Sequence, residues 1–190
     1  MEHNHNHEFD YERMRKMQQM YLPDGVILEF VDPTSGDSIL DLGSGSGYFS
    51  RLFASRSGVT KVVSVDASEK AHEILKKSLE EEGLTNVEPV KADLCSDFPA
   101  KGYNKVFIST VLHDIDCRDA LMRKLSDGLP AGGGFLIIVE FHKDSTIGPP
   151  GEIKIAQDDL IKFVESYGLV LKKNIDLEAH YIHRYEKSVK

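Results

Sequence analysis

Three glycines at alternating positions lie where a β-strand pattern gives way to a helical one. Gly43, Gly45 and Gly47 belong to the segment DLGSGSGY, which runs from Asp41 to Tyr48. Glycine has no Cβ, so the backbone of such a turn can approach a ligand closely, and the helix that follows offers unpaired N–H groups. The segment therefore predicts a binding loop for a nucleotide-like ligand.

Acidic side chains end three consecutive predicted strands. Asp41 precedes the glycine loop, Asp66 ends the second strand and Asp93 ends the third. A carboxylate in the second place can accept hydrogen bonds from both hydroxyls of a ribose. One in the third place can accept from an adenine amine, and one in the first can attract a cationic amino group. Three acids favour a ligand with positive charge over one whose charges are phosphates.

The spacing of the glycines separates two classes of ligand. A dinucleotide fingerprint needs Gly-x-Gly-x-x-Gly, but here Tyr48 occupies the place of the third glycine. The difference disfavours NAD and FAD, and the chain has no clear Tyr-x-x-x-Lys pair. A nicotinamide-dependent oxidoreductase is thus a less favoured alternative.

Histidine and acidic side chains follow the fourth predicted strand, near the point where ligands bind in open α/β sheets. A neutral imidazole can remove a proton near pH 7, so His113 is a candidate catalytic base with Asp114 beside it. Alternatively, His113 bonds to neighbouring backbone and only shapes the pocket. Glu140 and His142 are second candidates for contact with a reacting molecule. A metal site would use His113, Asp114, Asp116 and His142, but these residues show no recognisable metal-ligand spacing, and no metal is predicted.

The elements that position these residues alternate between short β-branched runs and helical patterns, which is typical of a parallel sheet covered on both faces. Strands are predicted over residues 38–41, 61–66, 87–93, 105–112 and 134–141. Pro89 favours an edge position for the third. Helices are predicted over residues 48–57, 68–82, 118–127 and 157–167. The runs 169–175 and 180–186 are too close for a crossover helix, so they should pair antiparallel.

The segment ahead of the first strand predicts two helices, over residues 11–21 and 25–30. A chain of 190 residues is expected to form one domain. We therefore predict an N-terminal tail and helical lid or flank over residues 1–31, followed by one α/β domain over residues 32–190. His3, His5 and His7 lie in the tail and are assigned no function.

Composition excludes several classes of partner. The chain has 23 Lys and Arg against 31 Asp and Glu, a net charge of -8, so nucleic acid is not an expected partner. No apolar stretch of about 18 residues predicts a membrane span. Cys95 and Cys117 are too few for a disulfide framework and suit a reducing compartment. The predicted location is the cytoplasm, and monomer and homodimer both stay open.

Five segments taken in order resemble the motifs of class I S-adenosylmethionine-dependent methyltransferases. They are DLGSGSGY, VDAS, ADL, STVLHD and LPAGGG, which together span roughly residues 38–141. The resemblance implies an α/β fold, a three-layer Rossmann-like sandwich around a seven-stranded, mostly parallel sheet of order 3-2-1-4-5-7-6 with strand 7 antiparallel. It also makes residues 32–190 a methyltransferase domain. LPAGGG departs from the family pattern, in which a basic residue often follows the leucine.

The resemblance further implies S-adenosyl-L-methionine as cofactor and S-adenosyl-L-homocysteine as product. It implies that the three glycines contact the methionine and ribose portions, that Asp66 binds the ribose hydroxyls, and that Asp93 with Leu94 contacts the adenine. The full predicted cofactor set is Asp41, Gly43, Gly45, Gly47, Asp66, Ala67, Asp93, Leu94 and Thr110.

The implied activity is methyl transfer to a small-molecule acceptor by in-line displacement in a desolvated pocket. Alignment of the reactants supplies most of the rate enhancement in such a reaction, roughly 7 to 11 kcal/mol in intramolecular analogues. The long polar loop 143–153 either helps to cover the acceptor or is a plain surface connection. A quinone-type or other lipophilic acceptor is one alternative, because the LHD segment is similar to that branch. A non-catalytic S-adenosylmethionine-binding regulatory protein is another.

Overall fold

Seven strands form one sheet in the computed structural model, which describes residues 10–189 of the chain. The strands are β1 Ser38–Leu42, β2 Lys61–Asp66, β3 Val87–Lys91, β4 Lys105–Ser109, β5 Phe135–Phe141, β6 Leu169–Asp176 and β7 His180–Lys187. Their order is β3-β2-β1-β4-β5-β7-β6. The pairings among the first five strands are parallel, and β7 pairs antiparallel with both β5 and β6. The predicted topology is confirmed, including the edge position of β3.

Six α-helices accompany the strands within this described part. They are α1 Tyr11–Tyr21, α2 Asp24–Val31, α3 Tyr48–Ala54, α4 Glu69–Glu82, α5 Arg118–Gly128 and α6 Gln157–Glu165. Ser68 caps α4 by accepting a hydrogen bond from the Ala71 amide, which satisfies one of the unpaired N–H groups of the first turn. Gly83 ends the same helix in the left-handed conformation. The predicted tail with His3, His5 and His7 lies outside the described residues.

The central strands are buried on both faces because the sheet separates two apolar clusters. Leu40 of β1 belongs to a cluster that includes residues of α5 and α6. Its neighbour Ile39 belongs to a second cluster with residues of α2 and α3. Alternate residues of a strand point to opposite faces, so the near-continuous apolar composition of β1, β4 and β5 follows from this double covering. The three layers confirm the predicted Rossmann-like sandwich.

The fourth strand ends earlier than its sequence predicts. The apolar run 105–112 indicated a strand to its end, but β4 stops at Ser109, and a 3₁₀ turn occupies Leu112–Asp114. The reason lies in Thr110, whose φ of 53° takes the chain out of the extended conformation. A positive φ is rare for a β-branched residue. The turn redirects the chain at the carboxyl end of the middle strand.

The hairpin at the far side of the sheet brings a distant residue to the same edge. Since β7 runs antiparallel to β5, its first residue, His180, is paired in register with Phe141, the last residue of β5. The carboxyl edge of the parallel strands therefore also carries the amino end of β7. No local pattern in the sequence reveals this pairing.

Candidate active site

The glycine loop connects β1 to α3 at the carboxyl edge of the sheet. Gly43, Gly45 and Gly47 have φ values of 68°, 54° and 73°, a region that side chains with a Cβ seldom occupy. A Cβ on Gly47 would lie 2.4 Å from Cδ1 of Leu75 in α4, and one on Gly45 would lie 2.9 Å from Cε of Met14 in α1. The loop is thus packed between α4 and α1 at distances that only glycine permits.

Asp66 holds the glycine loop in place from the end of β2. Its Oδ2 accepts a hydrogen bond from the Gly45 amide at 2.8 Å, and its Oδ1 accepts one from the Ser68 amide at 2.9 Å. A carboxylate oxygen can accept two hydrogen bonds. Asp66 therefore keeps acceptor capacity on each oxygen for a pair of ligand hydroxyls.

Asp41 lies beneath the loop and is only 2% exposed. Burial raises the pKa of Asp41 to about 7, the nearby Asp66 charge adds to the rise, and the hydrogen bond from the Ser50 hydroxyl at 2.5 Å opposes it. Hydroxyl contacts continue from Ser50 to Ser64 at 3.0 Å and from Ser64 to Ser44 in the loop at 2.7 Å. Because the charged form is poorly solvated here, a cationic group bound above the loop would be attracted to this carboxylate.

The segment after β3 supplies the remaining residues predicted for the cofactor. Asp93 accepts a hydrogen bond from the Cys95 amide at 2.7 Å through Oδ1. Leu94 between them is buried, whereas Ala67 after β2 is exposed. These residues follow β2 and β3, whose carboxyl ends lie at the same sheet edge as the glycine loop, and their contact with the cofactor stays a prediction.

A disulfide bond joins Cys95 to Cys117 across a sequence separation of 22. It ties the segment after Leu94 to the residue that precedes α5, and Cys95 is exposed. The expectation that the two cysteines suit a reducing compartment did not anticipate this bond. Two cysteines in different loops carry no local signature of pairing, because their approach depends on the tertiary fold.

His113 is held by acidic groups on two sides. Its Nδ1 lies 2.8 Å from Oε2 of Glu140, and its backbone amide donates to Oε1 of the same side chain at 3.1 Å. Its Nε2 lies 3.4 Å from Oδ2 of Asp114. Burial lowers the pKa of His113, but the hydrogen bond and charge of Glu140 together with Asp114 outweigh it, so the pKa is raised above its ordinary value.

Glu140 and His142, the other two candidates for contact with a reacting molecule, are each bonded within the protein. Glu140 is completely buried, so it acts on His113 and does not face an open space. The Nε2 atom of His142 lies 3.1 Å from the backbone oxygen of Leu177. Within residues 10–189, no group of three His, Cys, Asp or Glu side chains is arranged to hold a metal ion.

A cavity of about 520 Å³ lies between α1 and the carboxyl edge of the sheet. Its wall combines residues of α1, of the segment after β4, of the end of β5, of the loop before α6 and of the start of β7. Those lining residues are Asp10, Arg13, Met14, Met17, Gln18, Tyr21, Leu22, Thr110, Phe141, Ile147, Gly148 and His180. Met14 both lines the cavity and contacts Gly45, so the cavity adjoins the glycine loop. Pockets of this size and apolar character typically bind small molecules.

The sequence predicted some of this wall and missed other parts. Thr110 was predicted and lines the cavity, and Ile147 and Gly148 belong to the loop expected to cover an acceptor. Gln18 and His180 were not predicted. A polar residue on a Met-rich helix and a histidine at the start of a strand are both ordinary in sequence, and only the packing of α1 and the register of β7 bring them together.

Comparisons with known proteins agree with this geometry. A family model described as a methyltransferase domain matches residues 39–133, half of the chain. The chain is 28% identical over 125 residues to the protein-L-isoaspartate O-methyltransferase of Methanococcus maripaludis, which covers 63% of this chain and 58% of that protein. It is 33% identical over 95 residues to the ribosomal protein L11 methyltransferase of Caldanaerobacter subterraneus, covering 50% of this chain and 28% of that protein. The chain thus spans less than two thirds of the length of either relative.

Solved structures share the fold over most of the chain. A S-adenosylmethionine-dependent methyltransferase from Aquifex aeolicus superposes with a TM-score of 0.80 at 20% identity, over 94% of this chain and 98% of that one. Another from Mesorhizobium loti gives a TM-score of 0.72 at 15% identity, over 85% and 95%. At identities this low, the superpositions establish a common fold and nothing further. No helix of the described residues is long and apolar enough to cross a membrane.

Proposed function

Because the chain belongs to the methyltransferase-domain family, we propose that it is a S-adenosylmethionine-dependent methyltransferase and that it methylates a small molecule bound between α1 and the sheet edge. The observation that carries the proposal is that the cavity adjoins the glycine loop: Met14 lies against Gly45 and also lines the 520 Å³ cavity. An acceptor in the cavity would be next to the glycine loop. The family excludes the nicotinamide-dependent alternative.

The residues around the glycine loop fit the cofactor. Asp66 retains acceptor capacity for two ribose hydroxyls, Asp41 offers a buried carboxylate to the ammonium group, and Leu94 offers an apolar contact to the adenine. The absence of a Cβ on Gly45 allows Met14 of α1 to pack directly on the loop. When bound, S-adenosylmethionine supplies a methyl group on a positively charged sulfur, which is ready for displacement.

The chain itself contributes alignment and exclusion of water. Helix α1 covers the loop, and the Tyr11 hydroxyl donates a hydrogen bond to Oγ of Ser68 at 2.7 Å, which ties the helix to the start of α4. The cavity wall is largely apolar, with Met17, Tyr21 and Phe141 among its members. Such a wall holds an acceptor in one orientation and replaces water around it. We interpret α1 as the predicted lid.

The catalytic roles of His113 and Asp114 belong to the proposal. Since Glu140 occupies Nδ1 of His113, the proton-transferring atom would be Nε2, which faces Asp114. Among the described residues, His113 is not one of those that line the cavity. A proton relay to the acceptor would therefore need a bridging group, whereas a role in fixing the turn after β4 needs none. Replacement by glutamine separates the two: a base gives a large loss of kcat, and a support for the turn gives a loss of stability.

A macromolecular acceptor is the competing possibility within the same reaction class. The two relatives are named for protein substrates, isoaspartyl protein and ribosomal protein L11. The present chain spans only part of each, and the cavity, partly covered by α1, suits a small molecule better than a folded chain. The net charge of -8 argues against nucleic acid.

An assay with methyl-labelled S-adenosylmethionine tests the proposal. The protein is incubated with a panel of small hydroxylated and aminated molecules and, separately, with a cell extract whose proteins are retained. We expect S-adenosylhomocysteine to form and the label to enter the small-molecule fraction, with Asp66→Ala as the control that loses turnover. Label found only in polypeptides would contradict the proposal.

The cytoplasmic location predicted from the sequence conflicts with the disulfide bond and needs its own test. Disulfide bonds persist mainly in oxidising compartments, so the Cys95–Cys117 bond argues against a reducing one. Rapid alkylation of intact cells, followed by mass spectrometry of these two cysteines, distinguishes a reducing compartment from an oxidising one. Free thiols would support the cytoplasm, and a closed bond would place the protein in an oxidising compartment.

A further inference from the structure

Two buried polar atoms without partners belong to residues of the cavity wall. Among the described residues, few buried side-chain nitrogen or oxygen atoms have no hydrogen-bond partner, and they include Oε1 of Gln18 and Nδ1 of His180. His180 is 4% exposed. Buried polar groups in folded proteins are almost always hydrogen-bonded, so an exception inside a cavity points to a ligand that supplies the missing bond. Gln18 comes from α1 and His180 from β7, on different parts of the wall.

From this arrangement we propose that Gln18 and His180 bind the methyl acceptor, and that the acceptor is an uncharged, largely apolar molecule with at least one O–H or N–H group. The inference rests on the proposed function, since it assigns the substrate class of the same cavity. It adds two residues that the family motifs in this chain do not contain.

The donor group is required by the chemistry of the two side chains. An amide oxygen such as Oε1 of Gln18 can only accept hydrogen bonds, so its partner must donate one. A neutral imidazole offers one donor and one acceptor nitrogen, so His180 can pair with a hydroxyl in either direction. An ether, ester or ketone without any O–H or N–H would leave Gln18 unpaired. A hydroxyl or amine is also the kind of group that a methyltransferase modifies at oxygen or nitrogen.

The absence of charge on the acceptor follows from the electrostatics around His180. Burial, together with the electrostatic effect of the nearby His142 and Lys154, lowers the pKa of His180 to about 4. The imidazole is therefore neutral at pH 7 and cannot balance a carboxylate or phosphate. The charged wall residues Asp10 and Arg13 are both exposed, and Lys154 donates to the backbone oxygen of Ser145 and does not line the cavity. A charged group placed deep in the cavity would therefore lose its hydration without gaining an ion pair.

The apolar body follows from the remaining wall. Met14, Met17 and Leu22 contribute flexible or branched aliphatic surface, and Phe141 contributes a ring. The Phe141 ring lies 4.4 Å from the His180 ring, centroid to centroid, so the imidazole is held against an aromatic face. Methionine side chains adapt to the shape of an apolar ligand. A planar hydroxylated ring fits this combination of surfaces.

Three probes of one shape test the inference: 2-naphthol, 2-methoxynaphthalene and 2-naphthoate. Their binding to the full chain saturated with S-adenosylhomocysteine is measured by calorimetry. We expect 2-naphthol to bind about tenfold more tightly than 2-methoxynaphthalene, because only the naphthol can donate a hydrogen bond. Tighter binding of 2-naphthoate than of 2-naphthol, or no binding of any probe, would overturn the proposal.

Two variants attribute the preference to the named residues. His180→Phe retains an aromatic ring against Phe141, and Gln18→Leu retains a side chain of similar size on α1. Each should reduce the naphthol preference to about threefold or less while leaving the affinity for S-adenosylhomocysteine unchanged. Gln19→Leu is the matched control, since Gln19 is exposed, next in sequence and outside the cavity wall. A preference that persists in both test variants contradicts the assignment.

The outcome also separates this inference from the proposed function. If 2-naphthol binds with the expected preference but no small molecule is ever methylated, the cavity assignment holds and the methylation of small molecules fails. If small molecules are methylated without dependence on Gln18 or His180, the proposed function holds and this inference fails.

Discussion

The cofactor side and the acceptor side of the sheet edge differ in how their polar groups are hydrogen-bonded. On the cofactor side, Asp66 and Ser68 are bonded to the backbone that they hold, and Asp41 is bonded to Ser50. On the acceptor side, Gln18 and His180 each bury an atom without a partner. The polar groups of the cofactor side are thus hydrogen-bonded without a ligand, whereas those of the acceptor side need a ligand to supply the missing hydrogen bonds. Removal of a hydrogen-bonded group should therefore weaken the first side, except where the group is a charge buried at a cost, and should leave the fold of the second side intact.

The largest expected effect concerns Asp41, the one place on the cofactor side where a charge is buried at a cost. Its pKa is raised to about 7 in the folded protein from 3.8. The folded state thus binds more protons than the unfolded state between these values, so Asp41 causes the free energy of unfolding to fall as pH rises through that window. Asp41→Asn should be more stable than the parent at pH 8, by an amount on the order of a few kcal/mol, and similar to it near pH 4. Urea unfolding at both pH values measures this, and equal stability at pH 8 would contradict it.

The next effect concerns the disulfide that braces the cofactor side. Loss of a bond closing a loop of this length should lower the free energy of unfolding by about 3 kcal/mol. Cys95→Ser combined with Cys117→Ser is compared with the oxidised parent by denaturant unfolding. The parent kept in reductant is the control and should match the double variant. If the oxidised parent and the double variant unfold at the same denaturant concentration, the bond is not formed in solution.

A somewhat smaller effect is expected at Asp66. Asp66→Ala should weaken S-adenosylhomocysteine binding by about 1.5 to 3 kcal/mol, because two ribose hydrogen bonds and the contact to the Gly45 amide are lost together. Calorimetry measures the affinity. Binding of 2-naphthol to the cavity should change much less, and unchanged cofactor affinity would remove Asp66 from the site.

The smallest effect lies on the acceptor side and is again a gain in stability. Gln18→Leu should raise the free energy of unfolding of the ligand-free protein by about 1 kcal/mol, since a buried oxygen without a partner is replaced by an apolar group. Thermal and denaturant unfolding measure the change, with Gln19→Leu as control. A loss of stability in Gln18→Leu alone would mean that the side chain supports the fold of α1.

The same contrast explains what could be predicted from the sequence. The glycine loop, Asp66 and the strand ends are local sequence patterns. The alternation of β-branched runs with helical patterns indicates the order of the elements, so the topology could be predicted and is confirmed. The cavity depends on α1 lying over Gly45 and on His180 pairing in register with Phe141. Both arise from tertiary packing between segments far apart in the chain, which periodicity does not encode.

Thr110 and Cys95 illustrate the remaining gap. The apolar run through Thr110 favours a longer strand, and the positive φ that ends β4 follows from its surroundings and not from its residue type. Cys95 meets Cys117 only because the segments after β3 and β4 converge at one edge. At both positions the structure depends on contacts between segments that are distant in the chain, and the local sequence does not indicate those contacts.

A crystal structure with bound S-adenosylhomocysteine tests the account most directly. It should show the ribose hydroxyls on the Asp66 carboxylate and the sulfur atom facing the cavity lined by Thr110, Met14 and His180. A ribose held by other residues, or a sulfur atom directed away from that cavity, would contradict it.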